Sequence, residues 1–143
     1  MNNCVFCKII KEELPAAKVF ENEHVLAFLD ISQATKGHTL IIPKVHQENI
    51  YTLTPDVASN LFEVVPTIAK AIKSAFQPRG MNLINNNEAF ADQSVFHYHL
   101  HLIPRYDAND GFSTKWKNFQ AQYSTEDLKS LAAAIQKQIE FFS

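Results

Sequence analysis

The sequence predicts an α+β fold in which an antiparallel sheet of about five strands is combined with one long helix and a C-terminal helix. Short runs of β-branched and aromatic residues alternate with turn-forming residues, which is typical of strands. One longer segment instead repeats its apolar residues at spacings of three and four. With 143 residues and 46% hydrophobic composition, the chain has the length of one domain with a substantial core. Because no repeat or linker divides it, we expect one domain over residues 1–143.

The predicted strands share apolar or aromatic residues bounded by polar, proline- or glycine-containing segments. They cover residues 18–21, 24–30, 38–43, 81–86 and 95–103. The first three follow one another closely and should form an antiparallel meander. Pro104 cannot donate a backbone hydrogen bond, so it is expected to end the last strand.

The long helix is expected to begin after Thr54, a favourable N-cap, with Pro55 at its first position. It should end before Pro78, and Pro66 should kink it because its ring removes an interior hydrogen bond. Its apolar stripe consists of Val57, Leu61, Val64, Val65, Ile68, Ile72 and Phe76.

The C-terminal helix is expected to open at Ser124, with Asp127 three residues later as in a capping box. Its apolar face consists of Leu128, Leu131, Ile135, Ile139 and Phe142. A polar stretch containing Gly111 and Trp116 precedes it.

Composition narrows the class of partner. The formal net charge is -2, with 13 Lys and Arg against 15 Asp and Glu, and no basic run exceeds two residues. This charge pattern argues against a general nucleic-acid binder and favours a small-molecule substrate. The sequence contains no signal-peptide pattern and no apolar run long enough to span a bilayer. We therefore expect a cytoplasmic protein without a membrane partner.

Three of the six histidines, His97, His99 and His101, alternate with apolar or aromatic residues. On a strand they would share one face, while Phe96, Tyr98, Leu100 and Leu102 would pack on the other. Alternate strand residues are about 6.6 Å apart along the strand, too far for all three imidazoles to bind one tetrahedral zinc ion easily. The row is therefore expected to serve two adjacent sites.

The two cysteines, Cys4 and Cys7, have a C-x-x-C spacing. A closed zinc site would need two further ligands, and with no other cysteine these would have to be histidines. Two inert thiols are the alternative interpretation. Redox chemistry of the thioredoxin type is disfavoured because no strand precedes the pair.

Three phrases carry a resemblance to a known family. "HYHLHLI" matches the signature of the histidine-triad (HIT) superfamily of nucleotide hydrolases and transferases. "CVFCKIIKEELPAAKVFENEHVLAFLDISQATKGHTLIIPKVH" and "NNNEAFADQSVFHYHLHLIPRY" resemble its bacterial Hit-like, or Hint-type, branch over roughly residues 4–116. The resemblance implies a HIT-like fold, a two-fold homodimer and hydrolysis of purine nucleoside phosphoramidates through a nucleotidyl-histidine intermediate.

The same resemblance implies site residues by position. His99 would be the nucleophile, His101 the contact to the α-phosphate, His38 a further member of the histidine cluster and Ser94 an aid to phosphate binding and departure of the leaving group. Asp30 would bind ribose. The remaining substrate-binding residues would be Asn86, which supports the site, Gln93, and the apolar base pocket of Val5, Phe6, Ile9, Phe28 and Ile31. The zinc ligands of a structural site would be Cys4, Cys7, His46 and His97.

The chemistry of these residues agrees with such a role. A neutral imidazole is an effective nucleophile at phosphorus and leaves again readily. The chain has only three glycines and neither glycine-rich phosphate-binding motif, so side chains must hold the phosphate. On pattern alone, Phe6, Phe28 and Ile31 could be ordinary core residues and Asp30 a turn residue.

Two alternatives remain at this stage. One is hydrolysis of dinucleoside polyphosphates; the other is a nucleotide-binding or zinc-stabilised interaction protein with little turnover. Glu88 and Asp92 stand where relatives commonly carry glycine, and they bring negative charge toward an anionic substrate. These two residues leave the rate and the leaving-group preference open.

Overall fold

The computed structural model describes residues 3–143 and contains five strands in one antiparallel sheet. The strands lie in the order β1-β2-β3-β5-β4. The elements are α1 (Val5–Ile10), β1 (Lys18–Glu21), β2 (Val25–Leu29), β3 (Thr39–Pro43), α2 (Pro55–Phe76), β4 (Gly80–Ile84), β5 (Leu100–Arg105) and α3 (Thr125–Ile139). The predicted α+β class, the strand number and the meander of the first three strands are confirmed.

The chain divides into two compact units, of which the first ends at Phe112 and the second spans Ser113–Ser143. The sheet, α1 and α2 belong to the first unit, and α3 belongs to the second. The expectation of one domain over residues 1–143 remains a prediction. Among the described residues, no helix is both long and apolar enough to cross a membrane.

Apolar side chains lie on both faces of the central strands. On one face, Val25 and Ala27 of β2 pack with Ile41 of β3 beneath the buried stripe of α2. On the other face, Leu26, Phe28, Leu40 and Ile42 pack with Phe6 and Ile9 of α1. Side chains alternate between the two faces of a strand, and both faces of this sheet are covered. Strands β2 and β3 are therefore buried almost throughout, and their sequences are continuous apolar runs. The result is a sheet covered by a long helix on one side and by the N-terminal helix on the other.

Helix α2 follows the prediction closely. It begins at Pro55 after the N-cap Thr54 and ends at Phe76, before Gln77 takes a left-handed conformation. The helix assignment continues through Pro66. Five of the seven predicted stripe residues are buried, Val64 is partly buried, and Phe76 is 39% exposed.

Helix α3 has the predicted capping box between Ser124 and Asp127. None of its residues is buried, and its apolar side chains Leu128, Leu131, Ile135 and Ile139 are each at least half exposed. The sequence analysis did not identify α1, whose six residues are too few to show a helical period.

The histidine-bearing segment differs from the prediction. Strand β5 begins at Leu100, so His97 and His99 precede it, and the backbone N–H of Tyr98 donates to Gln47 in a loop. The prediction that Phe96 packs opposite the histidines is wrong, since Phe96 is 46% exposed. Tyr98, Leu100 and Leu102 do lie in the core beneath α2.

Pro104 does not end β5, contrary to the prediction. It lies within the strand opposite Met81, and its carbonyl oxygen accepts a hydrogen bond from the Thr35 hydroxyl at 2.6 Å. A proline fits here because the strand loses only one donor, and its carbonyl still finds a partner.

Candidate active site and metal centre

Four potential metal ligands converge at the N-terminus of α1. Cys4 caps this helix and Cys7 lies in its first turn, so both sulfurs face the same side. The Nδ1 atoms of His46 and His97 are 3.2 Å apart. The Cys7 sulfur is 3.2 Å from His46 Nδ1 and 3.6 Å from His97 Nδ1, and the Cys4 sulfur is 3.6 Å from His97 Nδ1. All four ligand atoms lie within 4.8 Å of one another.

These separations fit a tetrahedral zinc ion. Usual Zn–N and Zn–S bond lengths give tetrahedron edges of about 3.3 Å between two nitrogens and about 3.6 Å between nitrogen and sulfur. The His97 ring is also oriented for ligation, because its Nε2 donates to the Pro43 carbonyl oxygen at 2.8 Å. A carbonyl can only accept, so Nε2 carries the proton and the Nδ1 lone pair faces the sulfurs. Burial lowers the pKa of His97 to about 4, which favours this neutral form.

His99 is buried and held in one tautomer. Its Nδ1 lies 2.8 Å from the His97 carbonyl oxygen, so Nδ1 must donate and Nε2 carries a free lone pair. The edge-on ring of Phe6, 5.1 Å away between centroids, packs against the imidazole. Burial lowers the pKa of His99 below its ordinary value. The geometry thus supplies a neutral, oriented imidazole, which is the form a nucleophile requires.

His38 and His101 form a hydrogen-bonded pair beside His99. The Ala34 N–H donates to His38 Nδ1 at 3.1 Å, so the neutral His38 ring carries its proton on Nε2. That Nε2 lies 2.9 Å from His101 Nδ1 and donates to it, which places the His101 proton on Nε2. Burial is the main cause that lowers the pKa of both groups, to about 4 for His101. His101 is therefore prepared as a neutral hydrogen-bond donor.

Asp30 joins this pair at the end of β2. Its Oδ2 lies 3.6 Å from His38 Nε2, and its Oδ1 accepts from the Ser32 N–H at 2.8 Å. Asp30, His38 and His101 thus also bring three potential metal ligands together. The proton on His38 Nε2 points into this group, however, because the Ala34 N–H occupies Nδ1. The group is consequently better suited to relay hydrogen bonds than to hold a cation.

A cavity of about 500 Å³ opens beside His99 and His101. Nine of the predicted site residues line it: Val5, Phe6, Ile9, Phe28, Asp30, Ile31, Ser94, His99 and His101. Phe6 and Phe28 also belong to the core cluster beneath α1, so the core and pocket interpretations both hold for them. The cavity is apolar at one side and polar near the histidines, and its size suits a nucleotide.

The sequence analysis missed several lining residues and one supporting residue. Leu14, Pro15, Ala16, Leu29, Ser32, Leu40 and Val95 also line the cavity. Asn85 donates to the His99 carbonyl oxygen at 3.1 Å and is itself hydrogen-bonded to Asn87. For Asn86, the residue chosen from the "NNN" run, the structure gives no such contact within residues 3–143. No sequence signal separates Asn85 from the other two asparagines of this run.

Gln93 is buried and fastens the loop between β4 and the histidine segment. Its side-chain oxygen accepts from the Glu88 N–H at 2.7 Å, and its amide donates to the carbonyl oxygens of Glu48 and Val95. These bonds hold the backbone on both sides of Ser94. Gln93 is not among the residues that line the cavity beside His99, and its predicted substrate contact stays a prediction.

The loop contains two non-glycine residues with positive φ. Glu88 has φ 72° and ψ 154°, and Asp92 has φ 69° and ψ 20°. The Glu88 conformation belongs to a region used almost only by glycine, whereas asparagine and aspartate tolerate the left-handed conformation of Asp92. These are the two positions at which the family resemblance led us to expect glycine.

Comparisons with known proteins agree with this arrangement. The family model of the HIT domain matches residues 11–108. The chain belongs to the HIT family. It is 56% identical to Protein hit of Bacillus subtilis over 137 residues, covering 96% of this chain and 94% of that protein. It is 35% identical to an adenosine 5'-monophosphoramidase of Schizosaccharomyces pombe over 138 residues, covering 96% and 99%.

Solved HIT structures share the fold. A HIT family protein from Bacillus anthracis superposes with a TM-score of 0.94 at 58% identity, covering 96% of this chain and 97% of that chain. A Zn-bound histidine triad family protein from Mycobacterium smegmatis superposes with a TM-score of 0.73 at 32% identity, covering 93% and 98%. The HIT-like fold that the sequence phrases implied is therefore confirmed.

Proposed function

We propose that this HIT protein hydrolyses purine nucleoside phosphoramidates of the adenosine 5'-phosphoramidate type, with His99 as the nucleophile. The observation that carries the proposal is the single tautomer of His99, whose Nδ1 proton is bound by the His97 carbonyl oxygen. A lone pair is thereby left on Nε2 in a ring that lines the cavity. The phosphoramidase name of the Schizosaccharomyces pombe relative supports the choice of substrate.

The reaction proceeds in two displacements. In the first, His99 Nε2 forms a bond to the α-phosphorus while the phosphorus–nitrogen bond breaks, and the departing nitrogen takes up a proton relayed from solvent by Ser94. In the second, water attacks the same phosphorus and releases one proton to solvent, the electron pair of the phosphorus–imidazole bond returns to His99 Nε2, and the nucleoside monophosphate leaves. The positive charge on the nucleotidyl-imidazole is stabilised by its Nδ1–H bond to the His97 carbonyl oxygen, and it makes the ring a good leaving group.

Side chains bind the remaining parts of the nucleotide. His101 donates from Nε2 to an α-phosphate oxygen, and His38 fixes the His101 tautomer. Asp30 accepts from the ribose hydroxyls at the cavity edge, while Val5, Phe6, Ile9, Phe28 and Ile31 surround the base. Neutral imidazole donors held in a fixed orientation can stabilise the charge that develops on phosphate oxygens.

Cys4, Cys7, His46 and His97 would hold a structural zinc ion. When bound, zinc would cross-link the N-terminus of α1 to the segment that carries His99. The ligand-atom distances support this proposal, and so does the similar Zn-bound protein from Mycobacterium smegmatis. Thiolate ligands need a reducing compartment, which supports a cytoplasmic location.

We also propose a homodimer. β4 is an edge strand of the sheet, with Leu83 48% exposed, and an unpaired strand edge can be extended by a second copy. Light scattering coupled to size exclusion tests this directly, because a mass of one chain would contradict it.

Incubation with adenosine 5'-phosphoramidate tests the proposed activity. The wild type should release AMP, and His99→Ala should lose this activity while retaining its circular dichroism spectrum. A nucleotidyl-protein trapped by rapid denaturation at alkaline pH, where a phosphorus–imidazole bond is stable, should be present in the wild type and missing in His99→Ala. Absence of turnover between pH 6 and 8, or hydrolysis of dinucleoside polyphosphates in its place, would contradict the proposal. Nucleotide binding without turnover would favour a binding protein.

A further inference from the structure

A second cavity of about 390 Å³ adjoins the first. Val5, Ser94 and Val95 line both cavities, so the two meet over the Ser94 side chain. His99 and His101 line only the first. The other residues around the second cavity are Asn3, Cys4, His46, Glu48 and Phe96.

The second cavity is not the space between the metal ligands. Only Cys4 and His46 of the four candidate ligands border it, and the fully buried His97 does not. The ligand atoms also lie within 4.8 Å of one another, which leaves room for an ion and no more. The cavity therefore lies outside the ligand cluster, and its volume suits a small organic group.

The position of the second cavity relative to His99 indicates which part of a substrate could occupy it. An in-line displacement places the leaving group on the side of the phosphorus away from the attacking atom. The nucleoside would lie in the first cavity, where His99 attacks the phosphorus. The leaving group would then extend past Ser94, away from His99 and His101. The second cavity begins at that point.

We propose that the second cavity is the subsite for the leaving group and that it selects amines bearing a positive charge. This inference rests on the function proposed above. Glu48 supplies the only carboxylate among the described residues that line the cavity, and no lysine or arginine lines it there. The half-exposed ring of Phe96 adds an aromatic face that attracts a cation.

The backbone of Glu48 is held close to that of Ser94, while its side chain is exposed. Gln93 donates to the Glu48 carbonyl oxygen at 2.7 Å and is the immediate neighbour of Ser94. No ion pair between the Glu48 side chain and another described residue competes for its charge. A cationic amine would thus be attracted, and a phosphate or carboxylate leaving group repelled.

Three matched substrates test the subsite. AMP is joined through a phosphorus–nitrogen bond to a diamine, to a neutral alkylamine of equal length, or to an amino acid whose carboxylate is free. The wild type should prefer the diamine conjugate in kcat/KM, by about two- to fivefold over the neutral conjugate at low salt, and disfavour the anionic one. The preference for the diamine conjugate should shrink at about 0.5 M salt, because salt at this concentration screens exposed charges.

Glu48→Gln is the test variant and Glu23→Gln the matched control. Both lose one negative charge, but Glu23 is 87% exposed at the turn between β1 and β2. Glu48→Gln should abolish most of the preference, chiefly by lowering kcat/KM for the diamine conjugate, and should leave the zinc content unchanged. Glu23→Gln should keep the wild-type preference. Equal preference in Glu48→Gln and the wild type, or no preference in the wild type, would overturn the subsite.

Binding measurements separate this proposal from the activity itself. In a His99→Ala background, calorimetry should rank the conjugates in the same order, and adding Glu48→Gln should equalise the diamine and neutral conjugates. If no conjugate is hydrolysed by the wild type but this ranking is found, the proposed function fails and the subsite stands. If hydrolysis is found without any ranking, the subsite alone is wrong.

Discussion

Replacement of Glu88 by glycine should stabilise the protein. Glu88 has φ 72° and ψ 154°, and it is held there because its N–H donates to the Gln93 side chain while its carbonyl oxygen accepts from Ala91 and Gln93. A non-glycine residue in this region costs on the order of 1–3 kcal/mol. Glycine would remove this cost without changing the hydrogen bonds, which involve only the Glu88 backbone.

The gain is partly offset by the unfolded state. Glycine has more backbone freedom there, which costs about 0.4–1 kcal/mol. The expected net stabilisation is therefore roughly 0.5–2 kcal/mol, and for a chain of this size it should raise Tm by about 1–8 °C. Asp92→Gly is the comparison, because φ 69° and ψ 20° lie in the left-handed region that aspartate tolerates. Its net effect should be close to zero.

Urea unfolding of the three proteins at one protein concentration and equal zinc content measures the difference. The free energy of unfolding should rise in Glu88→Gly with an unchanged m-value. If Glu88→Gly is no more stable than the wild type, or no better than Asp92→Gly, the backbone at Glu88 is not strained and the argument fails.

Three further predictions concern the buried histidines and Asn85. His97→Ala should lose bound zinc and destabilise the fold by about 3 kcal/mol or more, because it removes a ligand that joins two segments. A zinc content equal to that of the wild type, measured by mass spectrometry, would refute the ligand assignment. Stability should fall as the pH is lowered from about 6.5 toward 4, because the folded pKa values of His97 and His101 are about 4, below the ordinary 6.5, and the unfolded chain takes up protons first. The slope reaches up to about 1.4 kcal/mol per pH unit for each histidine, and a flat profile in urea titrations over this range would contradict the burial of these rings. Asn85→Ala should cost about 1 kcal/mol of stability through loss of its bond to the His99 carbonyl oxygen and should lower kcat more than it raises KM; unchanged kcat would show that this contact does not position His99.

Periodicity was sufficient for the long elements of the fold. The spacing of apolar residues revealed α2, because tertiary packing buries one stripe of that helix, and the N-cap Thr54 with Pro55 located its start. Ser124 and Asp127 located the start of α3, because their capping box is a local interaction. The short helix α1 could not be found in this way, since its formation depends on packing of Phe6 and Ile9 beneath the sheet.

The segment around the histidines shows where a local pattern is insufficient. Alternation of apolar residues and histidines is typical of a strand, yet the Tyr98 N–H donates to the Gln47 carbonyl oxygen, which lies in a loop distant in sequence. That bond draws Tyr98 toward the loop at Gln47, and β5 begins only at Leu100. The histidines nevertheless fall into two groups, because His97 faces the cysteines and His99 lies beside His101, and their service of two sites stays a prediction.

Which asparagine of residues 85–87 contacts the His99 backbone also depends on tertiary structure. The positional match pointed to Asn86, whereas the hydrogen bond to the His99 backbone comes from Asn85. Three identical residues in sequence give no local signal that distinguishes them. The direction in which the loop leaves β4 decides which side chain reaches the histidine segment.

The bond between His99 Nδ1–H and the His97 carbonyl oxygen offers a way to observe the proposed zinc site from the side of the proposed nucleophile. Its ring proton is buried and should exchange slowly enough to give a resolved low-field signal in NMR spectra. The acceptor belongs to a residue whose own side chain faces Cys4 and Cys7. A titration with zinc should therefore shift the resonance of the His99 Nδ1 proton. The linewidth of that resonance would record how firmly the His99 ring is oriented at each zinc occupancy.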